Sequence, residues 1–458
     1  MIYCNQISII TLSLDIRKYD NARSKQSLVS LWDLVDDAGH LIIRLSAMDQ
    51  GINVSTFKTA MRVNRIRISP SVAAASVARQ LKAQGRDIVD LTVGEPDFDT
   101  PDHVKAEAVA AIGRGETKYT AVNGTPALRA AIRADVQRRL HLEYQDDEVC
   151  IGGGAKQIIF LTLMGSLDAG DEVIIPAPYW VSYPDMVMAN DGTPVIVPCG
   201  EEQSFKLTPE SLEQAITAHT RWVIINSPSN PTGAAYTEAE FKALALVLAK
   251  HPQVWLLCDE IYDQVWFGQT PCPSIVTVAP ELKDRTLIVN GMSKSFAMTG
   301  WRIGFGLGPV DVIKAINKLQ SQISSCPSSI SQAATVAALT GDQSFISETG
   351  VEYRKRRDYA VKRLNAVNGI QCSLPDGAFY LFPNCAGVIG KSTPEGKTIN
   401  NDLDFVLYLL EQAGVATIHG AAYGLSPYFR LSFATSMDII KEACDRIERA
   451  CDALVGGL

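Results

Sequence analysis

The sequence lacks the features that mark several broad classes of protein. None of its apolar runs reaches the length that a membrane-spanning helix requires. Its 42 basic residues are outnumbered by 50 acidic ones, and a net charge of −8 argues against general nucleic-acid binding. No basic start is followed by a long apolar core, so we expect no secretory signal.

Cysteine and histidine are present but never grouped. The ten cysteines form no CxxC pair, and none lies near the six histidines at the spacing of zinc ligands. We therefore expect free thiols, a reducing compartment such as the cytoplasm, and no metal site.

The 458 residues, 47% of them hydrophobic, are enough for two domains of unequal size. Residues 1–60 lack the sequence pattern of the rest of the chain, and Met48 and Met61 are possible later start positions. We predict a poorly ordered extension without catalytic role (1–60), a segment that packs with the small domain (61–100), a large cofactor-binding domain (101–340) and a small C-terminal domain (341–458).

Three apolar stretches, 222–226, 254–258 and 286–290, recur about thirty residues apart, and a helical pattern separates the first two. This pattern predicts an α/β fold with a mainly parallel sheet covered by helices on both faces. Polar residues follow each strand, among them Asp259 and Lys294. Because ligands bind beyond the carboxyl ends of parallel strands, these residues are predicted to share one crevice. A lone acid at a strand end is otherwise a helix cap.

Lys294 is surrounded by small residues, and Arg302 follows eight positions later. A lysine lifted partly out of water loses proton affinity and becomes an amine nucleophile, and a nearby arginine suggests an anionic ligand. Taken alone, the pair is better explained as a solvated loop lysine and a surface charge.

A glycine-rich turn, 152–157, joins a short strand to an apolar helix. Such a turn offers backbone N–H groups and a helix N-terminus to a phosphate. It matches neither of the common nucleotide motifs, and a tight structural turn is as good an explanation.

The last hundred residues no longer repeat the sheet pattern, which predicts a smaller α+β domain. Arg430 lies there within a strand of aromatic and aliphatic residues. A buried arginine needs an anionic partner, either an acidic residue of the fold or a substrate carboxylate.

With these residues in view, the chain resembles the class I pyridoxal-phosphate-dependent aminotransferases over roughly 65–454. The motifs that carry the resemblance are GEPDFDTP (94–101), SPSNPTG (227–233), DEIY (259–262), SKSFAMTGWRIG (293–304) and FRLSFA (429–434). The motifs GAKQ and PYWVSYP are similar to those of a subgroup of bacterial aspartate aminotransferases. The resemblance implies pyridoxal-phosphate fold type I and a ping-pong exchange between an amino acid and a 2-oxo acid.

The resemblance also implies a role for each cofactor-binding residue. Lys294 would form the internal aldimine and move the proton at the substrate Cα, and Asp259 would hold the pyridine nitrogen protonated. Tyr262 and Asn230 would bind the cofactor 3′-oxygen, and Trp180 would stack on the ring. The phosphate would be bound by Gly154, Ala155, Lys156, Ser293 and Arg302, with Tyr119 reaching the phosphate of a neighbouring subunit in a homodimer.

Substrate binding is implied for a second set. Arg430 would pair with the α-carboxylate, and Gly94 would lie beside the substrate, as would Trp180 and Asn230. Lys156 would bind the distal carboxylate of an acidic substrate. Arg67 and Ser71 stand where the subgroup has a lysine and a threonine, which keeps the cation and the hydroxyl but not the residues.

These features predict transamination of aspartate with 2-oxoglutarate or oxaloacetate. The differences at Arg67 and Ser71 leave an aromatic, prephenate or broad-range aminotransferase as the alternative. A β-lyase would use the same Lys294, Asp259 and Arg430. A non-catalytic binding protein is disfavoured, because every cofactor position holds a competent residue.

Overall fold

The computed structural model describes residues 57–456, apart from the side chain of Ser71. The compact unit begins at Thr59. The predicted extension, 1–60, therefore lies almost wholly outside the described residues.

A seven-stranded sheet with the order β2-β8-β7-β6-β5-β3-β4 forms the centre of the molecule. Its strands are β2 (Val149–Gly152), β3 (Glu172–Ala177), β4 (Thr193–Pro198), β5 (Thr220–Asn226), β6 (Trp255–Asp259), β7 (Thr286–Asn290) and β8 (Gly304–Leu307). All neighbouring pairs are parallel except those that β8 makes with β2 and β7. The predicted mainly parallel α/β sheet is confirmed.

Helices cover both faces of this sheet. They are α3 (Asp102–Gly113), α4 (Pro126–Leu140), α5 (Ala155–Met164), α6 (Tyr183–Ala189), α7 (Pro209–Ala215), α8 (Glu238–Leu248), α9 (Ile275–Val278), α10 (Met292–Ser295), α11 (Val310–Ile323) and α12 (Ser329–Thr340). Successive residues of β5 alternate between two buried clusters, with Val223 in one and Ile224 in the other. This alternation is what a strand buried on both faces requires.

The remaining elements build a smaller α+β part. They are α1 (Met61–Arg65), α2 (Pro70–Ala83), β1 (Val89–Asp90), α13 (Ser344–Leu364), β9 (Tyr380–Leu381), α14 (Asp402–Tyr408), β10 (Val415–Ala416), β11 (Ile418–His419), β12 (Phe429–Ser432) and α15 (Met437–Asp452). Strands β11, β12 and β9 form an antiparallel sheet, and β1 pairs in parallel with β10.

The segment predicted to pack with the small domain, 61–100, contacts both the smaller α+β part and the region of α6. Its strand β1 joins β10, whereas Arg65 pairs with Asp191 and the backbone N–H of Arg67 donates to Asp185, both next to or within α6. The boundaries at 100 and 340 stay predictions.

Strands β4 and β8 were not predicted from the sequence. Helices α11 and α12 are separate, and Ser325 between them has φ +60°. Strand β9 is only two residues long.

All nine cysteines of the described residues are free thiols. Among residues 57–456, none of the helices combines the length and the apolar character needed to cross a bilayer.

Candidate active site

A cavity of about 450 Å³ opens at the carboxyl ends of β5, β6 and β7. The predicted residues that line it are Gly94, Ala155, Lys156, Trp180, Asn230, Asp259, Tyr262, Ser293, Lys294, Arg302 and Arg430. Residues 336 positions apart in the chain, from Gly94 to Arg430, thus share one crevice.

The loop after β5 is tied to the neighbouring strand end. The side-chain amide of Asn226 donates to the backbone oxygen of Asp259 over 2.8 Å, and its oxygen accepts the N–H of Asn230 over 2.8 Å. These bonds fix the loop and aim Asn230 into the cavity.

Asp259 ends β6 as a buried carboxylate. It accepts hydrogen bonds from the Tyr183 hydroxyl at 2.7 Å and from the backbone N–H of Ile261 at 3.3 Å. Burial raises the pKa of Asp259 to about 6, although both bonds and the charge of Lys294 act in the opposite direction. The carboxylate is therefore an acceptor held ready for a cationic or N–H partner.

Lys294 lies on the short helix α10 and donates from Nζ to the backbone oxygen of Gly94 over 2.5 Å. Burial lowers its pKa to about 8. The nearby guanidinium groups of Arg302 and Arg430 add to this effect, whereas the carboxylates of Glu95 and Asp259 oppose it. At pH 7 about a tenth of such a lysine is the neutral, nucleophilic amine, far more than of an exposed lysine.

The glycine-rich turn joins β2 to α5 and packs against Arg302. Gly154 has φ +100°, and a Cβ there would lie 2.3 Å from Nη2 of Arg302. The guanidinium donates to the backbone oxygens of Thr299 and Gly153 over 2.8 and 3.1 Å. The first N–H groups of α5 have no acceptor within the helix. Turn, helix start and guanidinium together form an anion cradle.

Lys156 extends from this turn over the face of Trp180, with Nζ 4.7 Å from the ring centroid. Burial, followed by the charge of Arg302, lowers its pKa. It has no salt bridge to any acidic residue in the described part of the chain.

Arg430 is 2% exposed, and no carboxylate of the described residues pairs with it. Its two terminal nitrogens donate to the side-chain oxygen of Asn230 at 3.1 Å and to the backbone oxygen of Thr92 at 2.5 Å. Within residues 57–456 its buried Nε has no hydrogen-bond partner. A buried arginine without an acid is unfavourable unless an anion arrives from outside.

Three predicted site residues do not line the cavity. Gly154 lies behind the cradle, against Arg302. Tyr119 is 89% exposed, and Arg67 is also exposed, with its backbone bonded to Asp185. Ser71 is in α2, but its side chain is outside the described part of the structure. The roles of Tyr119, Arg67 and Ser71 stay predictions.

Two side chains that the sequence did not single out line the cavity: Glu95 accepts a hydrogen bond from Thr299 over 2.9 Å, and Tyr380 contacts Tyr262. A third, Tyr183, lies outside the cavity lining and donates to Asp259. Tyr183 is the last of the aromatic residues that follow β3. Only its position three residues after Trp180 could have marked it as a site residue from the sequence.

Comparisons with known proteins agree with this geometry. The family described as aminotransferase class I and II matches residues 86–447. An aspartate aminotransferase of Rhizobium meliloti (strain 1021) is 52% identical over 398 residues, 87% of this chain and 97% of the relative. A probable aspartate/prephenate aminotransferase of Rhizobium leguminosarum bv. phaseoli is 52% identical over 391 residues, 85% of this chain and 98% of the relative.

A solved structure extends the likeness to three dimensions. The crystal structure of the aspartate aminotransferase from Rhizobium meliloti superposes with a TM-score of 0.86 at 52% identity, and covers 87% of this chain and all of that one. The chain therefore belongs to the class I and II aminotransferases, with pyridoxal-phosphate fold type I. It is a pyridoxal-phosphate-dependent enzyme that transfers an amino group between an amino acid and a 2-oxo acid.

Proposed function

We propose that the principal amino donor is L-aspartate, with 2-oxoglutarate or oxaloacetate as the 2-oxo acid. The observation that carries this proposal is the buried Arg430, which has no acidic partner among the described residues. The same cavity holds Lys156, which forms no salt bridge with any of them. Two cations suit a ligand with two carboxylates. The names of the two curated relatives agree with such a substrate.

The residues present fit pyridoxal phosphate. The cradle of Gly154, Ala155 and Arg302 would hold its phosphate, since only a glycine at 154 leaves room for the guanidinium. Lys156 and Ser293 would add donors beside it. Trp180 offers a flat face to the ring.

The opposite edge of the ring meets the strand ends. Asp259 would accept the proton of the ring nitrogen, a role that suits a buried carboxylate already fixed by Tyr183. Tyr262 and Asn230 would donate to the 3′-oxygen. When bound, the cofactor supplies an aldehyde that captures the amino group and a ring that accepts the electron pair of the substrate Cα.

The chain's own residues orient the substrate and move its proton. Arg430 binds the α-carboxylate through a terminal nitrogen and through Nε, which has no hydrogen-bond partner among the described residues. Asn230 and Thr92 hold the guanidinium in place. As the neutral amine, Lys294 would remove the proton from the substrate Cα and, in the reverse half-reaction, would return a proton to Cα. Gly94 leaves room beside it, and its carbonyl oxygen accepts a hydrogen bond from the amine of Lys294.

An aromatic or prephenate substrate is the second candidate. Trp180 and Tyr380 give the cavity two aromatic surfaces, and one curated relative is named for both aspartate and prephenate. Arg67 and Ser71 are proposed to contribute to the choice between these substrates.

We further propose a homodimer with shared active sites. Tyr119 is 89% exposed, and on the neighbouring helix α3 Val109 and Ile112 are 69% and 54% exposed. An apolar surface of this kind favours a partner subunit, to whose phosphate site Tyr119 would contribute. The free thiols support a cytoplasmic location.

A panel of amino donors tests the substrate assignment. We expect the wild-type kcat/KM to be highest with aspartate. Lys156→Met should lower kcat/KM for aspartate about tenfold or more, and should lower kcat/KM for phenylalanine less. The control is Lys283→Met, because Lys283 also covers an aromatic ring, that of Tyr144 at 4.5 Å, away from the cavity. An equal loss on both donors would show that Lys156 does not read the distal carboxylate.

A further inference from the structure

Tyr380 on β9 contacts both ends of the active site. Its hydroxyl lies 2.7 Å from the hydroxyl of Tyr262, and its ring centroid lies 4.6 Å from the guanidinium carbon of Arg430. It is 1% exposed, so both contacts are shielded from water. One side chain thus joins the proposed cofactor-binding tyrosine to the proposed carboxylate-binding arginine.

The position of the Tyr380 hydroxyl is fixed by packing. A Cβ at Gly94 would lie 2.6 Å from it, so the glycine leaves the space that the hydroxyl fills. The rings of Tyr380 and Tyr262 meet edge to face at 5.7 Å, and Phe379 closes the other side of Tyr262 at 5.4 Å. The two hydroxyls therefore have little freedom to separate.

The function proposed for Tyr262 sets the direction of this hydrogen bond. A tyrosine hydroxyl has one proton, and Tyr262 would give its proton to the cofactor 3′-oxygen. Tyr380 must then donate to Tyr262. A hydroxyl that accepts a hydrogen bond becomes a stronger donor, and this effect is larger in a buried network.

The cation–π contact gives Tyr380 its second effect. The guanidinium of Arg430 makes two hydrogen bonds and lies over the Tyr380 ring. A buried contact of this kind restricts the orientation in which the guanidinium, including an Nε without a partner among the described residues, meets a carboxylate.

We propose that Tyr380 is a positioning residue that strengthens the hydrogen bond from Tyr262 to the cofactor 3′-oxygen and orients Arg430 toward the substrate carboxylate. This inference rests on the proposed function, because both partners act only when cofactor and substrate bind there. Its two effects depend on different parts of the side chain, the hydroxyl and the ring, and separate variants remove them.

Tyr380→Phe removes the hydroxyl and keeps the ring. With a weaker bond from Tyr262, the 3′-oxygen keeps more negative charge and holds a nearby proton more tightly. We expect the pH midpoint of the bound cofactor's absorption change to rise by about half a unit, with KM unchanged. Tyr380→Leu also removes the ring, and should raise KM for aspartate and for 2-oxoglutarate by about tenfold.

The matched control is Tyr353→Phe. Tyr353 is 2% exposed, packs on Phe379 at 5.6 Å, and its hydroxyl has no hydrogen-bond partner among the described residues. Its variant should keep the wild-type midpoint and KM. The charged groups that face the cavity are unchanged in all three variants, namely Glu95, Lys156, Asp259, Lys294, Arg302 and Arg430.

The outcomes separate this inference from the proposed function. If wild-type protein transaminates aspartate while Tyr380→Phe titrates like wild type, the hydroxyl does not act through Tyr262 and the inference is wrong. An unchanged KM in Tyr380→Leu would overturn the effect on Arg430. If wild-type protein prefers another donor in the panel, the aspartate assignment fails, whereas the spectral shift still tests Tyr380.

Discussion

At the scale of single residues, the chemistry of the strand ends could be predicted but the hydroxyl network could not. Asp259 and Lys294 follow apolar strands, and that position alone placed them in one crevice. Tyr380 and Tyr262 meet across 118 residues. Nothing local marks such a contact, because it depends on how β9 packs against the end of β6.

Lys294 gives a prediction about stability. The pKa of a lysine in the unfolded chain is about 10.4, whereas burial lowers the pKa of Lys294 to about 8 in the folded protein. Between these values the unfolded chain binds more protons, so the stability of cofactor-free protein rises with pH. Below pH 8 the folded state bears the full cost of the buried charge.

Lys294→Met removes this titration. We expect it to stabilise cofactor-free protein by about 3 kcal/mol at pH 7, and the gain to shrink as pH rises from 8 toward 10. Urea unfolding at several pH values measures it, with Lys242→Met as the control for loss of an exposed lysine. If the increase in the free energy of unfolding did not vary with pH, the charge of Lys294 would not be buried in the folded protein.

Asp259 and Glu260 are adjacent buried acids with different expected effects. Asp259→Asn should lower kcat at least about 100-fold, because a neutral amide cannot hold a proton on the ring nitrogen. Burial raises the pKa of Glu260 to about 8, so it is mostly protonated at neutral pH and bonded to Ser274. Glu260→Gln should therefore change kcat only a few fold. Steady-state kinetics compares them, and equal losses would show a general effect of packing.

At the scale of elements, the two strands that were not predicted from the sequence, β4 and β8, contain prolines or glycines. β4 has prolines at both ends of its run, Pro194 and Pro198, and they are tolerated because β4 is an edge strand. β8 contains Gly304 and Gly306. A Cβ at Gly304 would lie 2.2 Å from the backbone nitrogen of Ala155, so the glycine is needed for the cradle to approach the sheet.

The β2–α5 turn gives a prediction at this scale. Gly154→Ala places a methyl group against Arg302 in a backbone conformation that alanine rarely adopts, so the affinity for pyridoxal phosphate should fall about tenfold or more. Gly153→Ala meets only the end of the Gln157 side chain, at 3.0 Å, and should cost less. Titration of cofactor-free protein measures both. Equal affinities would show that the turn does not bind the phosphate.

At the scale of the whole molecule, the division into a large and a small domain stays a prediction, made from the point at which the strand–helix pattern stops. The sequence could not predict that residues 61–100 contact both the small sheet and the region of α6. The pairing of β1 with β10 joins Val89 and Val415, which are 326 positions apart. Assembly is also invisible in a single chain, and it needs an experiment of its own.

Subunit mixing tests the proposed shared sites. Tyr119→Ala and Lys294→Ala should each have low activity, and mixing them after reversible dissociation should restore it. A mixed dimer has one site with an intact Lys294 and an intact Tyr119 from the partner. The control pair, Asp259→Asn with Lys294→Ala, places each defect in its own subunit's site and should not recover. Failure of the first pair would show that the sites are not shared.

The most direct test of the central proposal is the identity of the lysine that carries the cofactor. Of the lysines among residues 57–456, Lys294 and Lys156 line the cavity. Borohydride reduction of the holoenzyme, followed by digestion and mass spectrometry, identifies the modified residue. We expect one phosphopyridoxyl group per chain, on Lys294. A group on Lys156, or on no lysine of the cavity, would contradict the proposed site.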